Sequence, residues 1–262
     1  MTSKKGAVAQ SFSRAAVSYD HAARVQKEVG RALLSLLLRH KVQARQAVDI
    51  GCGTGWLTQQ LAPYVDTITA LDIAPGMLAF ARAEDQDNII DQFICADVEQ
   101  LPLNQPDFDL VFSSYALQWC DDLSAALNKL AQILQPQGYL VFALPVQNTL
   151  SELKHSWQQA DPHHAHVNEF ADPALLRQQL LESGFRIKHF EQRVDTTFYA
   201  TVRDLTSELK ASGAHRVTHN SNPSLTGKTT VANMIDAYEG YRNSEGLLPA
   251  SWHSLLVCAQ KQ

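Results

Sequence analysis

Apolar positions recur every three or four residues near the start of the chain: Phe12, Ala16, Tyr19 and Ala23, then Val29, Leu33, Leu36 and Leu37. That spacing paints one face of a helix, so one or two amphipathic helices are predicted over about 12–40. The pattern then changes to short, dense apolar runs separated by helix-length stretches. Strands are predicted at 47–50, in the run that Asp72 closes, and at 89–95, 108–113 and 139–144. Helices are predicted at about 55–62, from Pro75 through 83, and over Leu123, Leu127, Leu130 and Leu134, where Asp121-Asp122 supplies the opening and Pro136 and Gly138 the stop. A helix at 173–182 and strands at 185–193 and 254–259 follow.

This β-α alternation with apolar strands predicts an α/β fold. It is a seven-stranded, mostly parallel sheet with helices on both faces, the last two strands forming an antiparallel edge. Three regions are expected: a helical segment at 1–45 that closes the site, an α/β core at 46–194 and 251–262, and an insert at 195–250. The insert has helical runs near 202–210 and 230–241. An insert of that length folds as a cap when its apolar spacing is regular, as it is here.

At 262 residues and 45% hydrophobic, the chain can bury a full core. Its densest apolar stretch, 32–38, is too short to span a bilayer, and no leader pattern precedes Phe12, so a cytoplasmic protein without a membrane partner is expected. Cys52, Cys95, Cys120 and Cys258 include no C-x-x-C pair and read as reduced thiols. The net charge of −5 hides an asymmetry: residues 1–45 carry +7, residues 46–150 carry −11, and the remainder −1. An acidic core disfavours nucleic acid as the main partner. The basic opening suits either an acidic protein partner or a solvated helix face.

The chemistry is concentrated in Val48-Asp-Ile-Gly-Cys-Gly-Thr-Gly55, with Asp72 at the end of the next strand. A glycine-rich turn after a buried strand lets backbone N–H groups approach a ligand, because no Cβ intervenes. An acid at the tip of the following strand can accept hydrogen bonds from a ribose diol. The dinucleotide fingerprint G-x-G-x-x-G would need glycine at 56, where Trp56 stands, which disfavours a nicotinamide-linked oxidoreductase. Gly51-x-Gly53-x-Gly55, preceded by Asp49, instead resembles the loop of class I S-adenosylmethionine-dependent methyltransferases. That resemblance implies a Rossmann-like methyltransferase fold and S-adenosylmethionine as cofactor. Asp49 would orient its amino-acid end, Asp72 and the adjoining Ile73 would hold the nucleoside, and Asp97 with Val98 would meet the adenine. Asp97 reads equally as a helix cap. Asp109 reads as structural as readily as functional. Ser113, Gln118 and Trp119, leaving the fourth strand where a doubly wound sheet opens its crevice, are candidates to line the methyl-transfer site; an aromatic face there also suits a sulfonium.

Two other signals fail. Gly227-Lys-Thr-Thr230 lacks the earlier glycine and the strand of a phosphate loop. His163-His-Ala-His166 shows no companion acid or cysteine at metal spacing, so no metal site is expected.

Over nearly its full length the chain resembles the family of malonyl-acyl-carrier-protein O-methyltransferases of biotin synthesis. The resemblance rests on Ser11-Phe-Ser-Arg-Ala-Ala-Val-Ser-Tyr-Asp20, His21-Ala-Ala-Arg-Val-Gln26, the Gly51 loop, Ala70-Leu-Asp72, Pro102, Leu117-Gln-Trp119, Val146-Gln147 and Leu225-Thr226. It agrees only loosely over 195–250. It implies an enzyme that esterifies the free carboxylate of a malonyl thioester on acyl carrier protein, with Tyr19 closing over the cofactor; a monomer is expected. Such an acceptor, with an ordinary carboxyl pKa near 4, is ionised at neutral pH and needs no general base. A cation is expected to hold the malonyl group, the candidates being Arg186, Arg193, Arg203, Arg216 and Arg242. Residues 186–228 carry seven cations against four acids, which would favour approach of an acidic carrier. Methylation of another small carboxylate or a quinone-type ring is the competing reading within the class; a noncatalytic cofactor binder is the competing reading outside it.

Overall fold

The computed structural model describes residues 4–101, 107–214 and 226–262. Pro102, Arg216 and Leu225 therefore lie outside the described residues. Seven strands form one sheet in the order β3-β2-β1-β4-β5-β7-β6. They are β1 (Ala44–Ile50), β2 (Val65–Asp72), β3 (Gln92–Cys95), β4 (Phe108–Ser114), β5 (Leu134–Pro145), β6 (Phe185–Tyr199) and β7 (Leu248–Lys261). β7 pairs antiparallel with both β5 and β6, and the remaining pairings are parallel. The chain reverses direction across the sheet between β1 and β4, so the carboxyl ends of those two strands border the crevice where such folds bind ligands.

The helices are α1 (Lys4–Ala22), α2 (Arg24–Arg39), α3 (Trp56–Gln59), α4 (Pro75–Glu84), α5 (Leu123–Ile133), α6 (Ser151–Ala160), α7 (Pro173–Glu182), α8 (Val202–Ala211) and α9 (Lys228–Glu239). Two apolar clusters sandwich the sheet. One joins Leu33, Leu36 and Leu37 of α2 to Leu110, Phe112 and Val141, and extends to Leu205 of α8 and Tyr238 of α9. The other joins Leu127 and Leu130 of α5 and Leu176 and Leu180 of α7 to Val111, Phe142 and Val257. The helical pattern predicted over 12–40 thus splits at Ala23 into two helices with different tasks. α2 is largely core, with Gln26 and Lys27 at its start lining the crevice that α1 crosses.

Three expectations change. Pro136 and Gly138 do not end the α5 region in a loop; they lie inside β5, in an irregularity where the β4 partners jump from Leu134 opposite Phe108 to Tyr139 opposite Leu110. Gln137 there has φ +66°, so the proline and glycine mark a bulge. The excursion between the last strands is shorter than 195–250, because β6 continues to Tyr199 and β7 begins at Leu248, their ladder unbroken from His189 to Tyr199. Finally, α6 carries too few apolar positions to be predicted: its buried face mixes Leu153 with the polar Glu152 and Ser156, and Glu152 accepts hydrogen bonds from the Ser251 N–H and hydroxyl.

Candidate active site

The crevice is built from loop conformations that few residues tolerate. Gly51, Gly53 and Gly55 all have positive φ, and the Gly51 and Cys52 N–H groups both donate to the Leu71 carbonyl, drawing the loop against the end of β2. A Cβ on Gly51 would fall 2.1 Å from Ala116 Cβ, so this glycine permits the close approach of the β1 and β4 loops. A Cβ on Gly53 would meet nothing within 4 Å, since that position faces open cavity.

Three adjoining cavities meet here, and Tyr19 of α1 lines all of them. The first lies between α1 and the ends of β1, β2 and β3 and opens to solvent. Asp72, Ile73, Asp97 and Val98 line it, with Gly51, Gly53 and Trp119. The second lies on the other side of the glycine loop and is lined by Asp49, Gly51, Gly53 and Thr54. The third is lined by Gln118, Trp119 and Tyr115 on one side and by Leu209, Ser212 and Trp252 on the other.

The acids differ in environment. The Asp72 carboxylate accepts from the Gly53 N–H at 2.9 Å and the Ala74 N–H at 2.7 Å, and burial raises its pKa despite these bonds and that from Ile73. Three backbone donors leave about one of the carboxylate's roughly four lone-pair sites for a further donor. Asp49 is 2% exposed and accepts from Thr58 Oγ1 at 2.6 Å; burial pushes its carboxyl up to about 7, with the Asp72 charge adding to the rise. Asp97 caps a turn and also borders the first cavity. One oxygen caps the turn at 98–100 through the Glu99 N–H. Its second oxygen pairs at 2.5 Å with Lys5 of α1, which also bonds Glu99. Asp109 sits at the opposite end of the sheet, accepting from the Arg45 and Gln46 N–H groups, a structural role.

The β4 exit corrects one expectation. Ser113 is fully buried, donates to the Ile50 carbonyl at 2.8 Å, and lines none of the three cavities; strand alternation turns it into the sheet and brings Ser114 to the first two instead. Gln118 donates to the Tyr115 carbonyl at 2.6 Å, while Gln118 Oε1, Trp119 Nε1 and Ser114 Oγ are buried without a partner among the described residues. Buried polar atoms of this kind are normally satisfied, so three beside one crevice fit a bound molecule that supplies the missing bonds. Tyr115 escaped the sequence reading. Its φ of +55° is unusual for a bulky residue, its hydroxyl shares a 2.6 Å hydrogen bond with Ser254, and it walls both the first and third cavities.

α1 is held over the crevice by bonds at several points along its length: Lys5 to Asp97, Ser13 Oγ to the Gly76 N–H, and Asp20 to Thr54 Oγ1 at 2.8 Å. The candidate arginines do not gather at the site. Arg193 is engaged by Asp195 and Arg242 by Glu239, Arg186 and Arg203 are exposed, and none of these four lines the third cavity. Among the described residues lining that cavity there is no Asp, Glu, His, Lys or Arg. The histidine run proves to have an acid partner after all: His164 and His166 both hydrogen-bond Asp161, holding it down to about 2. Among the described residues no group of three or more His, Cys, Asp or Glu is arranged to hold a metal ion.

The sheet order and the glycine-loop crevice define a class I S-adenosylmethionine-dependent methyltransferase, and a methyltransferase-domain family model matches residues 48–142. The crystal structure of N-methyltransferase NodS from Bradyrhizobium japonicum WM9, in complex with S-adenosyl-L-homocysteine, superposes with a TM-score of 0.55 at 16% identity, covering 93% of this chain and 98% of that one. The chain belongs to the malonyl-acyl-carrier-protein O-methyltransferase family. It is 36% identical to the malonyl-acyl-carrier-protein O-methyltransferase of Hahella chejuensis over 95% of this chain and 88% of the relative. It is 39% identical over 97% of its length to the biotin biosynthesis bifunctional protein BioHC of Cellvibrio japonicus, of which it spans 50%. Among the described residues no helix is long and apolar enough to cross a membrane.

Proposed function

We propose that this protein methylates the free carboxylate of a malonyl thioester carried by acyl carrier protein, giving the methyl ester used at the pimeloyl stage of biotin synthesis. The observation that carries the reading is the third cavity, whose described wall offers no side chain able to act as a base at neutral pH. The two tyrosines in that wall have pKa values raised by burial. An amine or phenol acceptor would need its proton removed; a carboxylate arrives without one.

S-adenosylmethionine, when bound, supplies the methyl group as a sulfonium. In this reading Asp72 and Ile73 hold its ribose, Asp97 and Val98 its adenine, and the Asp49 to Gly55 loop its amino-acid end. Tyr19 and Trp119 lie where the cofactor and acceptor cavities adjoin, and α1 shuts out water. Removing water matters because the opposite charges of donor and acceptor cancel as the methyl moves. Trp119 Nε1–H, buried and unpartnered, is a donor available to the acceptor. In this reading α1 with the start of α2, and the excursion after β6, serve closure and acceptor recognition, and the protein works as a monomer in the cytoplasm.

The test is an assay of methyl-ester formation on malonyl-carrier protein, malonyl-coenzyme A, free diacids and a quinone-type phenol. The carrier-bound malonyl group is expected to give the highest kcat/KM, and preference for a free diacid or the phenol would overturn the assignment. Raising salt from about 0.1 M to about 1 M shrinks the Debye length from roughly 10 to 3 Å, so kcat/KM on the carrier substrate is expected to fall several-fold. For the cofactor, Asp72→Ala is expected to weaken binding by about 1.5–3 kcal/mol, one to two decades in Kd by calorimetry. An unchanged Kd would remove the ribose assignment.

A further inference from the structure

Outside the three cavities, α1 and α8 enclose a shallow groove lined by Gln10, Ser11, Arg14 and Ser18 on one side and Lys210 on the other, with no acidic residue among the described lining. The helices are stitched beneath it by Ser11 Oγ to the Gly213 carbonyl and Ser18 Oγ to the Ala211 carbonyl. Arg14 and Lys210 are exposed, and neither pairs with a described residue. The nearby acids are already engaged: Glu208 by Arg24 at 2.7 Å and by the Tyr199 hydroxyl, Asp204 by the Thr201 cap, and Asp20 by Thr54. Beside the groove, one turn along α1 from Arg14, stands Val17, 78% exposed and the most exposed large apolar side chain among the described residues. Two cations without a partner among the described residues, with an exposed valine one turn beyond Arg14, form a surface complementary to an acidic amphipathic helix.

Position adds to this. Phe12 and Tyr19 of α1 and Leu209 of α8, each next in sequence to a groove residue, line the third cavity. Groove and acceptor cavity are thus the outer and inner sides of one helix pair, about a helix diameter of ~10 Å apart. A protein seated outside would hold a flexible acyl arm within reach of the inside.

We infer that the α1–α8 groove, through Arg14, Lys210 and Val17, is the docking surface for the acidic face of the acyl carrier protein. The inference rests on the proposed carrier-bound acceptor. It does not follow from cofactor chemistry, because none of the three residues touches the cofactor cavity. The groove recognises the carrier as a protein, so malonyl-coenzyme A, which presents the acyl arm without the protein, does not depend on it.

The experiment compares the full-length protein with Arg14→Glu/Lys210→Glu and with Val17→Asp, measuring Kd for unacylated holo-carrier protein and kinetics on malonyl-carrier protein and malonyl-coenzyme A. Affinity for S-adenosylhomocysteine serves as the check on folding. The charge reversal is expected to raise Kd for the carrier and KM for the carrier substrate on the order of tenfold or more, and Val17→Asp to do the same more weakly. The coenzyme A kinetics should stay within about twofold, as expected when recognition of the carrier is a separable contact. Carrier binding unaffected by the charge reversal, or an equal loss on both substrates, would overturn the inference. If the unaltered protein esterifies no malonyl thioester yet binds the carrier in an Arg14- and Lys210-dependent way, the docking surface stands and the proposed acceptor falls.

Discussion

Asp49→Asn is expected to make the protein more stable at pH 8 and worse at binding its cofactor. In the fold the Asp49 carboxyl is shut away from water and its pKa is pushed up to about 7, chiefly by burial. In the unfolded chain it returns to about 4. Between those values the folded state binds the extra proton, so stability falls as pH rises from about 4 to about 7, and the full cost persists above. Three pH units correspond to roughly 4 kcal/mol as an upper bound. Asparagine is neutral and close in shape, and its carbonyl can still accept the Thr58 hydroxyl, so the cost disappears without a cavity.

A thermal-melt series from pH 5 to 8.5 should show the wild-type melting temperature declining toward pH 7 while that of Asp49→Asn stays flatter. The two should converge at low pH. Calorimetry at pH 8 should show the variant losing affinity for S-adenosylmethionine, because a carboxylate beside the glycine loop favours the positively charged end of that molecule. Parallel pH slopes would mean the Asp49 carboxyl is not shifted in the fold. Unchanged affinity would leave Asp49 a purely structural acid. The opposing directions matter: a group kept ionised at a folding cost is the usual mark of a functional site.

The legible parts of the molecule are those where local chemistry and global fold agree. Strand tips, the glycine loop and Asp72 could be read because apolar runs, left-handed turns and an acid at a strand end are each local signals. The mostly parallel sheet with its antiparallel edge was legible from the β-α alternation of apolar runs. Ser113 was misread because one residue of strand register decides whether a side chain enters the crevice or the sheet. Tyr115 went unseen because nothing local marks a tyrosine that adopts a left-handed conformation; the strain is imposed by tertiary packing. α6 was missed since its inward face is stabilised by hydrogen bonds to β7, from residues about a hundred positions away. Lys5 is a similar case, its partners Asp97 and Glu99 being 92 and 94 residues distant. Long-range polar pairing leaves no periodic trace.

Gly51→Ala is expected to damage folding and cofactor binding together, and comparison with Gly53→Ala separates the causes. At Gly51 a methyl group would meet Ala116 Cβ at 2.1 Å while the backbone keeps φ +73°, so overpacking and left-handed strain add. At about 1–3 kcal/mol for the first and 1–2 for the second, the sum is roughly 2–5 kcal/mol. For a chain of this size that lowers Tm by roughly 4–20 °C. Gly53 has φ +57° but open space around its Cβ, so only the strain applies and the fall in Tm is smaller. Yet Gly53 borders both the first and second cavities, so its added methyl intrudes where the cofactor would lie. Gly53→Ala should therefore bind S-adenosylhomocysteine poorly while losing only roughly 2–8 °C in Tm, less than Gly51→Ala. The double substitution Gly51→Ala/Ala116→Gly should recover the packing part of the loss in Tm and leave the strain part. A double variant no more stable than Gly51→Ala would show that the β1 and β4 loops are not pressed together as described, and with them the crevice on which the cofactor reading depends.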